Sequence, residues 1–211
     1  MTPIPTSEAT AWLEQARADV ARDPDAVTRA FALAPRRVGR APLHPETDPA
    51  GVVRGTVDDA ARAELVVALA ASSGDGLADR LATLYRGGDA AERRGVLRGL
   101  DALAGNGDLP DDVVATGVEL AEDALRTNDQ ALVAAATGTF GSRYLDQHTW
   151  RHAVLKLVFM GVSLDAVADL GSRADPELAR MATDFAAERR AAGRVVPPDV
   201  DRLIPTTTTQ E

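Results

Sequence analysis

The chain has 211 residues, of which 45% are hydrophobic and only 4% aromatic, and its formal net charge is −9. Residues 1–205 are therefore predicted to form one domain with a core of Ala, Val and Leu. This acidic balance disfavours binding to nucleic acid, because a surface of the same sign repels phosphates. The absence of cysteine excludes disulfides, thiolate metal ligands and cysteine nucleophiles.

The apolar segments and the two ends of the chain predict a soluble, cytoplasmic protein. The first ten residues, MTPIPTSEAT, have neither a basic region nor an apolar stretch, so we expect no secretory signal. The longest apolar run, AVLKLVFMGV, is too short to span a bilayer and contains a lysine. The low-complexity end, residues 206–211, is predicted to be disordered.

Helical periodicity dominates the N-terminal part of the chain. The segment SEATAWLEQARADVA repeats small or apolar residues every three or four positions, which predicts an amphipathic helix. A second short helix is predicted after Asp23-Pro24. Residues 34–55, APRRVGRAPLHPETDPAGVVRG, are rich in Pro and Gly and predict a long connection. A connection of this length is either functional or a flexible linker.

Helices resume after this connection and continue to the end of the chain. The middle segments with helical periodicity are TVDDAARAELVVALAA, GLADRLATLYRG, DAAERRGVLRGLDALA, PDDVVATGVELAEDALR and DQALVAAAT. Gly95 and Gly99 lie inside one of them and each costs about 1 kcal/mol relative to Ala. We expect these glycines to allow close contact with a neighbouring helix. Asp146 is the predicted N-cap of a helix over 147–160, and Asp175-Pro176 begins the last long helix.

This order of helices and short turns predicts an all-α fold. Short connections favour antiparallel neighbours, so we expect an irregular array of antiparallel helix pairs. Such an α-hairpin or HEAT-like bundle contains no sheet.

The only lysine of the chain lies in an apolar helical segment, WRHAVLKLVFMG. A buried lysine must be paired or lose its proton, and we expect Asp184 and Glu188 on the last helix as partners of Lys156. One interpretation is structural, a Lys–Glu pair between helices or a lysine that extends to solvent. The other is a pocket in which Lys156, His152, Asp184 and Glu188 bind an anionic ligand group or perform acid–base chemistry.

Two further groups of side chains have the chemistry of a binding site. Arg36, Arg37 and Arg40 form a basic cluster in the long connection, which is either solvated or a clamp for an anion. His148 and His152 are four residues apart, but no H-E-x-x-H pattern accompanies them, so we predict no metal site. Phosphate-binding and nucleophile motifs are absent from the sequence, and we predict no cofactor.

A distinctive order of residues occupies the last third of the chain. Its members are Tyr144, Asp146, Trp150, Leu155, Lys156, Phe159, Gly161, Arg173, Leu178, Ala179, Glu188, Arg189, Ala192, Gly193, Arg194 and Pro197. This order resembles the C-terminal signature of the EboA family. The family's Asn is Asp175 here, its usual Tyr is Phe185, and a Pro-Tyr-Pro-like stretch is replaced by FGSR. The aromatic residues Tyr144 and Trp150 join the candidate ligand-binding residues.

The resemblance implies a bacterial helical protein with a role in moving a secondary-metabolite precursor out of the cytoplasm. It implies partners encoded alongside it, which include a membrane prenyltransferase-like protein and TIM-barrel and dehydroquinate-synthase-like enzymes. The resemblance assigns no reaction to the protein. We therefore expect a non-catalytic adaptor or small-molecule carrier that reaches the inner membrane face through a partner. The alternatives are an enzyme with a pocket around Lys156 and His152, and a purely structural interaction scaffold.

Overall fold

A computed structural model describes residues 7–204. Within this range the chain forms eleven α-helices and three short 3-10 turns, and no strand. A single isolated β-bridge in the described range joins Pro42 to Thr56. The prediction of an all-α fold is confirmed. The predicted disorder of 206–211 lies outside the described residues.

The helices are numbered in chain order. The first six are α1 (Ser7–Arg22), α2 (Ala26–Val38), α3 (Val57–Ser73), α4 (Leu77–Gly87), α5 (Ala90–Asn106) and α6 (Asp111–Leu125). The last five are α7 (Gln130–Ala135), α8 (Thr139–Tyr144), α9 (Gln147–Met160), α10 (Leu170–Arg173) and α11 (Pro176–Ala191). The 3-10 turns are Gly74–Gly76, Leu164–Ala166 and Pro198–Arg202. None of the helices within 7–204 has the length and apolar character needed to cross a bilayer.

The helices pack mainly on the next helix but one. α3 contacts α5, α4 contacts α6, and α5 contacts both α7 and α8, while α1 and α2 both pack on α3. This pattern is typical of stacked helical hairpins, as predicted. One continuous cluster of buried side chains extends from Ala16 in α1 to Leu203 near the C-terminal end.

The crossing of α3 and α5 depends on two glycines. A Cβ built on Gly95 would lie 2.4 Å from Cδ of Arg62, and one built on Gly99 would lie 2.5 Å from Cβ of Val66. The absence of side chains at these positions lets the two helices approach closely. The expectation that Gly95 and Gly99 permit a close helix contact is confirmed.

The predicted connection over residues 34–55 begins too early, because α2 continues to Val38 with Pro35 inside it. Proline removes the N–H that would bond the carbonyl four residues earlier, which is the carbonyl of Phe31. Nε of Arg62 donates to this freed carbonyl at 3.2 Å. A distant side chain thus compensates the proline, and the connection between α2 and α3 covers only 39–56.

A buried ionic network surrounds the start of α3. Nη1 of Arg62 lies 2.7 Å from Oδ2 of Asp58, and both side chains are only 2% exposed. The hydroxyl of Thr56 donates to the other Asp58 oxygen at 2.6 Å. Nε of Arg94, on α5, lies 2.7 Å from Oδ2 of Asp59. These contacts hold α3, α5 and the end of the connection together.

Candidate functional site

Lys156 contacts the end of a helix rather than a carboxylate. Its Nζ donates to the main-chain oxygen of Leu125 at 2.7 Å, and Leu125 is the last residue of α6. The C-terminal carbonyls of a helix lack partners and carry partial negative charge, which attracts an ammonium group. The expected pairing with Asp184 and Glu188 is wrong, since Asp184 pairs with Arg180 at 2.6 Å and Glu188 is exposed.

Substitution of Lys156 by Met is expected to lower the free energy of unfolding by about 1–3 kcal/mol, because it removes a charge-assisted hydrogen bond to a half-buried carbonyl. Lys156→Arg, which keeps the charge, should lose less. Urea denaturation of both variants and the wild type measures this. An unchanged or raised stability of Lys156→Met would show that the fold does not need the lysine and would favour a ligand-binding role.

The remaining predicted residues of the C-terminal third lie in different environments. Trp150 is fully buried, with the guanidinium carbon of Arg173 4.9 Å from its ring centroid. Tyr144 is half-buried, and its ring centroid lies 4.9 Å from that of Phe140. His152 is exposed. Their roles as ligand contacts therefore stay predictions, and none of the three lines the depressions described below.

The exposed ring of His152 lies 4.4 Å, centroid to centroid, from that of His148. No group of three or more His, Asp or Glu residues within 7–204 is placed to hold a metal ion.

Arg36 and Arg37 lie in the last turn of α2 and not in a loop, because the helix is longer than predicted. Both side chains are exposed, and Arg37 lines a shallow depression between α1 and α2 together with Trp12 and Arg29. Basic residues at this end of a helix are stabilised by its dipole. Their proposed contact with an anion stays a prediction.

An open depression forms where four distant parts of the chain meet. It measures about 480 Å³, and we call it the arginine depression. Its lining residues are Val53, Arg54, Arg98, Asp101, Gly138, Thr139, Leu164, Asp165, Ala166, Val167, Ala168 and Arg202. They come from the end of the 39–56 connection, from α5, from the start of α8 and from the C-terminal segment.

The connection is held in place at this depression by a buried carboxylate. Asp48 is 6% exposed and accepts the main-chain N–H groups of Val52, Val53 and Arg54 at 2.9, 2.9 and 2.7 Å. Nη2 of Arg98 donates to the carbonyl of Val53 at 2.8 Å. The end of the connection is therefore a defined wall of the depression rather than a flexible linker.

Asp101 lies in the floor of the depression. Its Oδ1 accepts the N–H of Phe140 at 2.9 Å, while Oδ2 is 3.7 Å from Nη1 of Arg98. A Cβ on Gly138 would lie 2.0 Å from Oδ2, so glycine is needed there. Burial raises the pKa of the Asp101 carboxyl to about 6, although Arg98 opposes the shift. A carboxyl with a raised pKa in a depression is a candidate functional group.

The raised pKa of Asp101 predicts a distinctive pH dependence of stability. A folded-state pKa of about 6 against a usual value of 3.8 means that folding favours the protonated form, so this group costs stability as the pH rises from about 4 to about 6. Asp101→Asn stays neutral and can still accept from Phe140. As the pH rises from about 4 to about 6, we expect the free energy of unfolding of the variant to increase by about 1–3 kcal/mol relative to that of the wild type. Urea denaturation at pH 4 and pH 7 tests this, and a pH-independent difference would contradict it.

Arginine side chains give the depression its charge. Three arginines and two aspartates line it, in a chain of formal net charge −9. Arg54 is exposed, and within residues 7–204 its guanidinium makes no hydrogen bond or ion pair. Nε of Arg98 is buried and has no partner in the described part of the chain. Nη1 of Arg202 pairs with both Asp165, at 3.0 Å, and Asp199, at 3.1 Å.

A second polar depression lies between α4, α5 and α6, and several of its charged side chains are paired with each other. The hydroxyl of Tyr85 donates to Asp123 at 3.1 Å, and Arg126 lies 3.3 Å from the same carboxylate. Arg86 pairs with Glu119 at 3.4 Å. Four of its charged side chains pair with one another, so it offers a ligand fewer free groups than the arginine depression does.

Comparison with known protein families decides the identity of the chain. The family model described as "Metabolite traffic protein EboA" matches residues 3–205. The chain belongs to the EboA family. No curated protein and no solved structure matches it. The EboA match includes every part of the chain that builds the arginine depression.

Two residues of the EboA-like C-terminal signature, Trp150 and Arg173, stabilise the last third of the fold. Arg173 stacks on Trp150 and donates to the carbonyls of Gly141, Ser142 and Leu145, which lie in α8 and at its end. These contacts join α8, α9 and α10. These signature residues therefore have a structural role in the fold.

Asp175, which stands where the resemblance to the family places an Asn, caps the start of α11. It accepts the N–H of Leu178 at 3.0 Å and a bond from Arg151, which holds the pKa of Asp175 below its usual range. The replacement therefore leaves the beginning of the last long helix intact.

Sequence reasoning missed Arg54, Arg98, Asp101 and Arg202. They belong to no motif, and long stretches of sequence separate Arg54 and Arg202 from Arg98 and Asp101. Their only local signal is one arginine at the end of the Pro- and Gly-rich connection. Their proximity results from the packing of α5 against the connection and of α8 against α5.

Proposed function

We propose that this EboA protein is a non-catalytic carrier that binds one small metabolite in the arginine depression. The observation that supports the proposal is an open depression of about 480 Å³ that contains Arg54, whose guanidinium makes no hydrogen bond or ion pair within residues 7–204. Its volume falls in the range of roughly 300–1,000 Å³ that is typical of small-molecule sites. The role in metabolite traffic comes from the family.

The rigidity of the lining suits a carrier. Asp48 fixes the end of the connection through three main-chain bonds, and Arg98 joins that segment to α5. A lining that is ordered before binding loses little conformational entropy when the ligand enters. The open mouth allows the ligand to leave unchanged, as transfer to another protein requires.

The proposed location and partners of the carrier come from the resemblance to the EboA family. The carrier acts in the cytoplasm and delivers a precursor to proteins encoded with it, among them a membrane prenyltransferase-like partner at the inner face of the membrane. In this role the protein is an adaptor between a soluble metabolite and a membrane-bound partner.

Equilibrium dialysis tests the carrier function. The purified protein is dialysed against a small-molecule extract of its native cells, and native mass spectrometry then detects any bound compound. A carrier is expected to hold one compound per chain and to release it with unchanged mass on denaturation. Failure to bind any compound would contradict the proposal.

A second candidate function is an enzyme acting on a small metabolite. Asp101 favours it, because a carboxyl with a pKa of about 6 can both accept and donate a proton near neutral pH. The dialysis experiment separates the two functions, since an enzyme would release a chemically altered compound. The alternative pocket around Lys156 and His152 stays a prediction without a shared cavity to support it.

A further inference from the structure

Two arginines in the depression, Arg54 and Arg98, have donor groups without a partner within residues 7–204. Nη1 of Arg98 is 3.7 Å from Oδ2 of Asp101, which is longer than a hydrogen bond. Nε of the same side chain is buried and has no partner within the described residues. A buried donor without a partner costs about 1–3 kcal/mol, so its retention calls for an explanation. Arg54 adds a guanidinium that makes no hydrogen bond or ion pair within residues 7–204.

The depression also contains one acceptor beside these donors. Oδ1 of Asp101 is used by the N–H of Phe140, but Oδ2 makes no hydrogen bond within residues 7–204. The Asp101 carboxylate packs against Gly138, where a built Cβ would lie 2.0 Å from Oδ2, and the side chain lines the depression. A ligand hydroxyl or amine can therefore donate to this oxygen.

The combination of donors and acceptor indicates a class of ligand. Guanidinium groups bind carboxylate and phosphate through paired, charge-assisted bonds. We infer that the ligand carries an oxyanion, contacted by Arg54 and Arg98, next to a hydroxyl or amine that donates to Asp101. The inference rests on the proposed carrier function and names the chemistry that the site selects. A hydroxylated phosphate or carboxylate has this arrangement of groups.

Isothermal titration calorimetry with three simple probes tests the inference. The probes are glycerol 3-phosphate, inorganic phosphate and glycerol, each titrated into the full-length chain. We expect glycerol 3-phosphate to bind more tightly than inorganic phosphate and glycerol not to bind. Equal affinity for glycerol and glycerol 3-phosphate, or no binding of any probe, would overturn the inference.

Substitution of the exposed Arg54 distinguishes binding in the depression from a general effect of the protein's charge. Arg54→Gln is expected to weaken glycerol 3-phosphate binding about tenfold or more, in line with the loss of one charge-assisted bond. Arg190→Gln is the control, because Arg190 is also an exposed arginine, lies in α11 and does not line the depression. Equal losses for the two variants would overturn the inference.

Substitution of Asp101 tests the acceptor separately. Asp101→Asn removes the negative charge and places an amide where the ligand would donate. We expect it to keep inorganic phosphate binding and to abolish the preference for glycerol 3-phosphate. A preserved preference would overturn the role of Asp101.

The two proposals fail in distinguishable ways. Binding of a native compound that Arg54→Gln does not weaken would overturn the ligand class and leave the carrier function standing. Binding of no native compound would overturn the carrier function itself.

Discussion

Substitution of Arg62 by Met is expected to lower the free energy of unfolding by about 3–5 kcal/mol, because it leaves the carboxylate of Asp58 buried without its cation. Both side chains of this pair are only 2% exposed, and their nearest atoms are 2.7 Å apart. After the substitution Asp58 keeps only the hydroxyl of Thr56 as a partner. The carbonyl of Phe31, which Pro35 deprives of its helical partner, loses the Nε donor as well.

An exposed ion pair that joins α1 to α3 provides the control. Arg17 in α1 and Glu64 in α3 lie 3.0 Å apart, and both side chains are 49% exposed. Arg17→Met should lower the free energy of unfolding by only about 0–1 kcal/mol, since solvent screens an ion pair at the surface. Urea denaturation measures both variants. Similar losses for Arg62→Met and Arg17→Met would contradict the importance of burial.

A double variant separates the ion pair from the rest of the network. Replacement of Asp58 by Asn together with Arg62→Met removes both charges, so no carboxylate is left stranded. We expect the double variant to be more stable than Arg62→Met alone. If the double variant is as unstable as the single one, the loss comes from the contacts of Arg62 with Phe31 and α5.

Substitution of Gly99 by Ala is the second change with a large expected effect. It should lower the free energy of unfolding by about 1–3 kcal/mol. The new Cβ would lie 2.5 Å from both Cβ and Cγ2 of Val66, and 2.6 Å from Cγ1. The Cβ of Val66 is fixed to the backbone of α3 and cannot rotate away. The two helices must therefore move apart, and this cost exceeds the roughly 1 kcal/mol that Ala gains over Gly in a helix.

Another glycine of α5 is the matched control. Gly105 has no atom within 4 Å of a built Cβ, so Gly105→Ala should leave stability unchanged or raise it by up to about 1 kcal/mol. Thermal unfolding compares the two variants. Combining Gly99→Ala with Val66→Ala should recover part of the loss, because it removes the two Cγ atoms from the contact. A stabilised Gly99→Ala single variant would contradict the close α3–α5 packing.

Helix identity and several helix ends were predictable because their causes are local. Asp146 accepts the N–H of Thr149 at 2.9 Å and begins α9, as predicted. Asp175 caps α11, with Pro176 in its first turn. These signals involve residues within one helical turn, so they are visible in the sequence. The end of α2 was missed because the partner that compensates Pro35 is Arg62, in another helix.

The partners of charged side chains could not be predicted in the same way. The apolar surroundings of Lys156 correctly indicated that it needs a partner, but many acceptors satisfy an ammonium group equally well. The packing of α9 against the end of α6 selects the carbonyl of Leu125. Because every residue has a main-chain carbonyl, the sequence does not indicate which carbonyl accepts the bond.

The composition and helical periodicity of this chain were sufficient for its all-α class, and a resemblance in its last third indicated the EboA family. These properties are carried by residues close together in the chain or by a recognisable order of residues. The arginine depression required the folded structure, because Arg54, Arg98 and Asp101 belong to two elements that meet only through packing. Long-range contacts depend on how many side chains fit together at once, and no single segment specifies that fit.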